Sequence, residues 1–223
     1  MMLISSVFCV FLDATKAFDR VQYCSLFTKL LDRNIHPLFL RILFNIYAGQ
    51  LVTVLWNGFF SQNFPVMNGV KQDGILSPLL FCVYIDDLLL ALQRAGGVEC
   101  FLGNCYIGAL AYADDVVLIA PTASAMRQIL AICDDFGSKH DALFSASKSI
   151  VCFLEVLGII RVLNVLFFRW GNSFDYVEQW LHLGHLISSE LSDNTDITRR
   201  KNSLIGQINS VLCRFGKLDV VSK

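Results

Sequence analysis

Two adjacent aspartates, Asp114 and Asp115, sit between apolar runs over residues 106–113 and 116–120, with Gly103, Asn104 and Gly108 breaking the approach. Runs this short and this rich in β-branched and aromatic residues read as two buried strands, with the acidic pair at the turn between them. Neighbouring carboxylates resist ionising together, so such a hairpin is electrostatically poor unless a cation sits against it. Hard divalent cations such as Mg²⁺ take carboxylate oxygens and remove the conflict. Aspartate is also an ordinary turn residue for local hydrogen-bonding reasons, and the pair alone does not decide between the two readings. The deciding question is whether a third carboxylate is presented at another strand end.

Asp13 supplies it. Residues 3–12 are a continuous apolar run that stops at Asp13, with Lys16, Phe18 and Asp19 just beyond. An aspartate there also reads as a helix N-cap. If the two strand ends lie on one sheet, Asp13, Asp114 and Asp115 come together. Such a cluster holds two divalent metals about 4 Å apart, the arrangement that clamps the attacking and leaving oxygens of a phosphoryl transfer.

At 223 residues the chain is long enough for one large domain with a sizeable core, and 55% of it is hydrophobic against 17% charged. Its 18 basic and 19 acidic residues leave a net charge of 18 − 19 = −1, so no global basic field advertises nucleic acid. Eight cysteines stand singly with no Cys-x-x-Cys pair. That spacing fits reduced intracellular thiols, in nucleus or cytoplasm, better than a disulfide framework or a zinc site. The apolar opening has no basic flank and reads as a strand, not a signal peptide. Residues 149–168 come nearest to a membrane span, but Glu155, Arg161 and Asn164 interrupt them, so the chain is expected to have no membrane partner.

Taken in order, a helix is expected over residues 22–32, closed by Asn34, and a second from Pro37 to near Gly49. Runs at 52–56 and 59–64 flank Asn57-Gly58, the strongest short hairpin signal. A loop over 69–74 leads to Ser77, expected to cap a helix with Pro78 at its first position and an end near Arg94. Within that helix, Asp86-Asp87 reads as a solvated face or a local ion pair. Met126, Ile129, Leu130, Cys133 and Phe136 recur at helical spacing as a core-facing stripe. Strand-like runs follow at 150–154, 162–168 and 181–188. Residues 193–215 read as an amphipathic helix, with Ile197, Leu204, Ile208, Val211 and Phe215 on one side and Arg199, Arg200 and Lys201 near its start.

Five stretches, in one order and spacing, carry a family likeness. Phe11-Leu12-Asp13-Ala14-Thr15-Lys16-Ala17-Phe18-Asp19-Arg20-Val21 resembles motif A of the reverse transcriptases of non-LTR (LINE-type) retrotransposons. Gly69-Val70-Lys71-Gln72 with Leu76-Ser77-Pro78-Leu79-Leu80-Phe81 resembles their motif B. Tyr112-Ala113-Asp114-Asp115 resembles the motif C box, and residues 143–149 resemble motif D. Trp180-Leu181-His182-Leu183-Gly184-His185-Leu186-Ile187-Ser188 is similar to the segment that ends the palm. A four-residue box is weak by itself; five ordered motifs are strong.

The resemblance implies a fold, a chemistry and roles. The fold is α+β, the palm of a right-hand polymerase: a small antiparallel sheet backed by helices over residues 1–190, with the start of a helical thumb over 191–223. The activity is RNA-directed DNA synthesis, a nucleotidyl transfer that uses two divalent metal ions (Mg²⁺, with Mn²⁺ an alternative), and the partners are an RNA template, a DNA primer and a dNTP. Asp13 and Asp114 would bridge the metals, Asp115 would assist, and the carbonyl of Ala14 would add a ligand. Phe18 falls on the steric-gate position beside the sugar, or is a core aromatic. Gly69, Gln72 and Tyr112 would lie against the incoming nucleotide and template. Lys148 stands where a lysine is proposed to protonate the leaving group, and equally reads as a solvated lysine. Leu183 and Gly184, with His185, would form the turn that positions the primer. Arg199, Arg200 and Lys201 read as nonspecific phosphate contacts or as a solvated helix face.

Two positions depart from the pattern. Asp73 stands where the family usually has glycine after the motif B glutamine, adding bulk and negative charge near a triphosphate. Ser145 stands where motif D usually has asparagine. The chain begins just before motif A, so fingers, full thumb and endonuclease are expected to lie outside it, and it is not expected to extend a primer unaided. The other readings are a truncated, inactive or co-opted nucleic-acid-binding palm, and a palm-like nucleotide cyclase. Motif B and Lys16-Ala17-Phe18-Asp19 argue against the cyclase.

Overall fold

The computed structural model describes residues 6–96, 100–140, 142, 144–145, 148–155, 168–169 and 172–215. In chain order its elements are β1 (Ser6–Asp13), α1 (Tyr23–Asp32), α2 (Pro37–Ala48), β2 (Leu51–Val52), β3 (Leu55–Trp56), β4 (Phe59–Phe60), β5 (Phe64–Pro65) and α3 (Ser77–Arg94). They continue as β6 (Phe101–Leu102), β7 (Cys105–Tyr106), β8 (Ala109–Tyr112), β9 (Asp115–Ala120), α4 (Ala123–His140), β10 (Ile150–Glu155), β11 (Phe168–Arg169), β12 (Asn172–Ser173), β13 (Asp175–Tyr176), β14 (Gln179–His182), β15 (His185–Ser188) and α5 (Asn194–Phe215).

Five strands form the central sheet in the order β13-β10-β1-β9-β8, antiparallel except where β13 joins β10. β1 lies in the middle, and its apolar run is continuous because both faces are covered. Phe8, Val10 and Leu12 point to one side with Val116, Leu118 and Val151, where α1, α3 and α4 pack on them. Cys9 and Phe11 point to the other side with Val117, Ile150 and Cys152, where Trp180 and Ile187 of the β14–β15 hairpin cover them. Cys9 pairs directly with Cys152 across β1 and β10. Burial pushes the Cys9 thiol up to about 12, with Cys152 and Cys100 adding to the shift, and burial raises Cys152 to about 11. Both stay protonated and unreactive at neutral pH, as expected of reduced structural cysteines.

The helices follow their sequence signals closely. α1 ends in a Schellman motif: Asn34 sits at φ +58, its N–H meets the Leu31 carbonyl at 2.9 Å, and the Ile35 N–H reaches Leu30 at 3.3 Å. Pro37 opens α2, and His36 Nδ1 accepts from the Leu38 N–H at 3.2 Å. The expected stripe on α4 is buried throughout. Asp86 and Asp87 pair with Arg33 and with Lys29 (2.8 Å), locking α3 to α1 as a local ion-pair set.

Three expectations change. Ser77 is not a cap: Leu76 holds that position, while Ser77 is buried inside the first turn and donates its hydroxyl to the Lys71 carbonyl, tying the helix to the loop before it. The hairpin at Asn57 (φ +49) and Gly58 (φ +84) forms with the two positive φ values of a type I′ turn, but β3 and β4 are only two residues each. On α5 the amphipathic pattern is present but its apolar side is exposed, with Ile197, Leu204, Val211 and Phe215 all more than half accessible. Residues 3–5, 143, 146–147 and 156–167 lie outside the described residues, which removes the start of the first strand, part of motif D and most of the expected strand at 162–168 from view. Among the described residues no helix is long and apolar enough to cross a membrane.

Candidate active site

The register of β1 and β9 sets Asp13 directly opposite Asp115. Paired residues of an antiparallel sheet point to the same face with Cβ atoms about 4.5–5.5 Å apart. For Asp13 that face is the one carrying Phe11 and Cys9, the hairpin side. Both aspartates open into a cleft of about 390 Å³ that Lys148, Trp180 and His182 also line.

Asp13 is held by its own backbone. Its N–H donates to Ser149 Oγ at 3.0 Å, and its carbonyl accepts from the Ser145 N–H at 3.0 Å. The Ser149 N–H in turn donates to the Ser145 carbonyl at 2.9 Å. This stitching brings Lys148 Nζ to 3.9 Å from Asp13 Oδ2. Both side chains are substantially accessible, so the pair is a solvent-screened contact of small stabilising value. Its consequence is placement: an accessible cation at the lip of an acidic cleft.

Asp114 occupies the two-residue turn between β8 and β9 beside Ala113, which takes φ +53. It is exposed at the tip and is not among the cleft's lining residues. Tyr112 pairs with Asp115 and, with Leu183, lines an adjoining apolar cleft of about 360 Å³ that reaches Asp115 and His182.

The donor set suits a hard divalent cation. Two carboxylates face each other across one strand pair and open to solvent, and their like charges repel unless a cation intervenes. Among the described residues no three His, Cys, Asp or Glu side chains gather into a complete cage. Mg²⁺ does not require one, because it takes one or two carboxylates and completes its shell with water and substrate phosphates.

The remaining motif residues form a second group on the helical side. Ala14 makes an isolated bridge with Phe144 and borders a small apolar cavity with Phe81 and Phe136. The half-buried Phe18 ring lies 5.1 Å from that of Phe81 and packs against the core. Its carbonyl accepts from the Val70 N–H at 2.8 Å, and the Gly69 N–H donates to the Val21 carbonyl at 2.8 Å. Motif B is thereby sewn to motif A. Gln72 is exposed in the loop that follows.

Asp73 takes φ +61. That backbone shape explains why a glycine would suit this position without reference to any ligand. Aspartate is one of the few side-chain-bearing residues that visit this region readily. We expect Asp73→Gly to stay within about 0.5 kcal/mol of neutral, since relief of strain is offset by the looser unfolded chain, whereas Asp73→Val should cost about 1–2 kcal/mol. Urea unfolding midpoints of the two variants check this.

Sequence reasoning missed His182 and Asp196. His182 pairs with His185 across the β14–β15 turn and lays its ring 5.1 Å from Phe11 at the floor of the cleft. The available signal was His-Leu-Gly-His, two imidazoles flanking a turn. Asp196 is buried in the first turn of α5, and Arg199 and Arg200 follow at i+3 and i+4, the spacing that pairs charges on a helix. Hydrogen bonds from Arg199 and Arg200 hold its carboxyl well below the usual carboxylate range, against the opposing pull of burial, and His185 Nδ1 stands 3.7 Å away. A depressed folded-state pKa contributes stability that is present above the unfolded value near 4 and fades as pH falls below it. The part of the contact between α5 and the hairpin that rests on the Asp196 charge should therefore weaken only below about pH 4, as read by amide exchange at Leu186.

The family model described as "Reverse transcriptase (RNA-dependent DNA polymerase)" matches residues 3–187. The chain is similar to the Retrovirus-related Pol polyprotein from type-2 retrotransposable element R2DM of Drosophila melanogaster, 32% identical over 184 residues, 78% of this chain and 17% of that protein. It is also similar to the RNA-directed DNA polymerase from mobile element jockey of Drosophila funebris, 23% identical over 96% of this chain and 23% of that protein. The chain thus spans about a fifth of the length of these curated relatives. Among solved structures, apo telomerase from Candida tropicalis, truncated from its C-terminal domain, superposes with a TM-score of 0.58 at 12% identity, over 85% of this chain and 35% of that one. Telomerase from Candida albicans does so with a TM-score of 0.55 at 12% identity, over 83% and 31%.

Proposed function

This chain belongs to the reverse transcriptase family, in its non-LTR retrotransposon branch with an α+β palm fold, and from that premise we propose that it performs template-directed DNA synthesis on RNA, with Asp13, Asp114 and Asp115 as its acidic centre. The observation that carries the proposal is the direct opposition of Asp13 and Asp115 at adjacent strand ends over a solvent-open cleft. Divalent ions bound there would activate the primer 3′-hydroxyl and neutralise the departing pyrophosphate.

The chain's own residues do the rest. Asp13, held rigid by Ser145 and Ser149, and Asp115, fixed by pairing on both sides, present preorganised oxygens. Asp114 would join them from the exposed turn tip, and the carbonyl of Ala14 would add a ligand. Lys148, 3.9 Å from Asp13, would hand a proton to the leaving phosphate. The half-buried Phe18 would abut the sugar and exclude a 2′-hydroxyl, while Gly69 and Gln72 would carry the nucleotide-side loop. Tyr112, Leu183 and Gly184 flank the primer end. Residues 1–190 act as the palm and 191–223 open the thumb. Preorganised charge and position are the main sources of rate in such a reaction.

The test places this segment in the corresponding stretch of an R2-type relative and measures Mg²⁺-dependent primer extension on an RNA template. Extension is expected, and Asp115→Asn should lower it by on the order of 10²–10³ or more. Extension that survives Asp115→Asn and Asp13→Asn unchanged would sink the proposal.

A further inference from the structure

Arg199 and Arg200 look like phosphate contacts by type and position, yet their hydrogen bonds run inward. Arg199 donates to Asp196 Oδ1 through Nε at 3.1 Å and Nη2 at 2.7 Å, and Arg200 Nε donates to Asp196 Oδ2 at 2.7 Å. The Nη2 groups of both also reach the Gly184 carbonyl, at 2.7 and 2.8 Å. Asp196 Oδ1 in turn accepts the Leu186 N–H at 3.1 Å. One helical turn of α5 therefore grips the β14–β15 turn at its last carbonyl and at an amide just after it.

That turn has reason to be gripped. Leu183 sits at φ +47, a conformation that costs a side-chain-bearing residue about 1–2 kcal/mol. Strain of that kind persists only where the surroundings over-determine it. Leu183 and the neighbouring His182 also border the clefts that Asp115 lines, so any swing of the turn changes the shape of the site.

We propose that Asp196, Arg199 and Arg200 are positioning residues that lock the Leu183–Gly184 turn over the acidic cleft, and that the two arginines do not bind nucleic-acid phosphates. The inference rests on the reading of this turn as the element that positions the primer end. Guanidinium suits this role because its planar fork spans a carboxylate and a carbonyl at once, which an ammonium does not. One carboxylate against two guanidiniums leaves a single surplus positive charge. Asp196 thus holds the pair together and also withholds it from other anions.

Two measurements on the chain separate the alternatives. The first is amide exchange at Leu186, referenced to Leu118 in the same sample so that global unfolding cancels. The second is the affinity for an RNA–DNA primer–template duplex across a salt series. In the clamp, Asp196→Asn and the charge-preserving Arg200→Lys each raise relative Leu186 exchange at least tenfold, and removing both arginines leaves the slope of log affinity against log salt unchanged. Phosphate contacts predict the reverse: relative Leu186 exchange stays unchanged, and removing both arginines reduces the slope by about 1.8. Relative exchange at Leu186 that stays unchanged in Asp196→Asn and Arg200→Lys would overturn the clamp. Failure of the unmodified chain to bind duplex would count against the polymerase reading alone, because the exchange measurement needs no nucleic acid.

Discussion

Asp115→Asn is expected to raise the chain's stability in a chelator and to lower it in Mg²⁺, a reversal of sign from one substitution. Without metal, Asp13 and Asp115 are like charges directly opposed across a strand pair, a cost of about 0.2–1 kcal/mol. Lys148 relieves it only weakly from 3.9 Å in an accessible setting. Removing one charge therefore stabilises the metal-free protein slightly. With Mg²⁺ at a hundred times its dissociation constant, binding to the native state alone adds about 2.7 kcal/mol, and the substitution forfeits most of that. Asp13→Asn should behave alike, and Asp114→Asn, at the turn tip, should lose a smaller share. Asp87→Asn should show no metal dependence at all, since Asp87 is committed to Lys29. Thermal melts of the four variants with and without Mg²⁺ read the pattern. Equal losses from Asp87 and Asp115 would mean that the ion acts on the surface generally.

The parts of this architecture that sequence revealed are those where one local cause dominates. The β8–β9 hairpin was legible because apolar runs of strand length bracket an acidic pair, and the Schellman end of α1 because Asn34 tolerates φ +58. The strand carrying Asp13 was legible because a sheet buried on both faces leaves no room for polar alternation. What stayed hidden depends on register and on long-range contacts. Periodicity said that two strands end in acids, but not that Asp13 would face Asp115 and leave Asp114 at the tip; only the pairing of β1 with β9 settles that. The i+3 and i+4 spacing behind Asp196 was a local sign that Arg199 and Arg200 pair inward, but their second acceptor, Gly184, lies 15 residues away from the nearer of them and left no local trace. The same holds for Ser77, whose hydroxyl turns to the Lys71 carbonyl because the preceding loop folds back onto the helix.

That folded-back loop connects the two motif groups, and Gly69 is the point where they touch. It takes φ +93, and a Cβ placed there would stand 2.9 Å from the Asp19 carbonyl oxygen, 3.0 Å from Asp19 Cα and 3.1 Å from the Phe18 carbonyl oxygen. All three are backbone atoms, so nothing flexible can give way. Gly69→Ala is accordingly expected to destabilise the chain by roughly 2–5 kcal/mol, the sum of a strained backbone and an overpacked contact. Gly58 is the internal control: it takes a similar φ of +84 with nothing within 4 Å, so Gly58→Ala carries the strain without the clash and should cost about 1–2 kcal/mol. The difference between the two urea midpoints isolates the close approach of motif B to motif A. The chain's response should be local as well as global. Relief of the clash pushes residues 18–19 away from the loop, breaks the Val70–Phe18 hydrogen bond, and turns the Phe18 ring from its seat on Phe81. In the R2-type chimera, at a temperature where Gly69→Ala is still folded, discrimination between deoxy- and ribonucleotides should therefore drop before extension itself is lost. A Gly69→Ala protein as stable as Gly58→Ala, with discrimination intact, would show that the two motifs are not coupled through this contact.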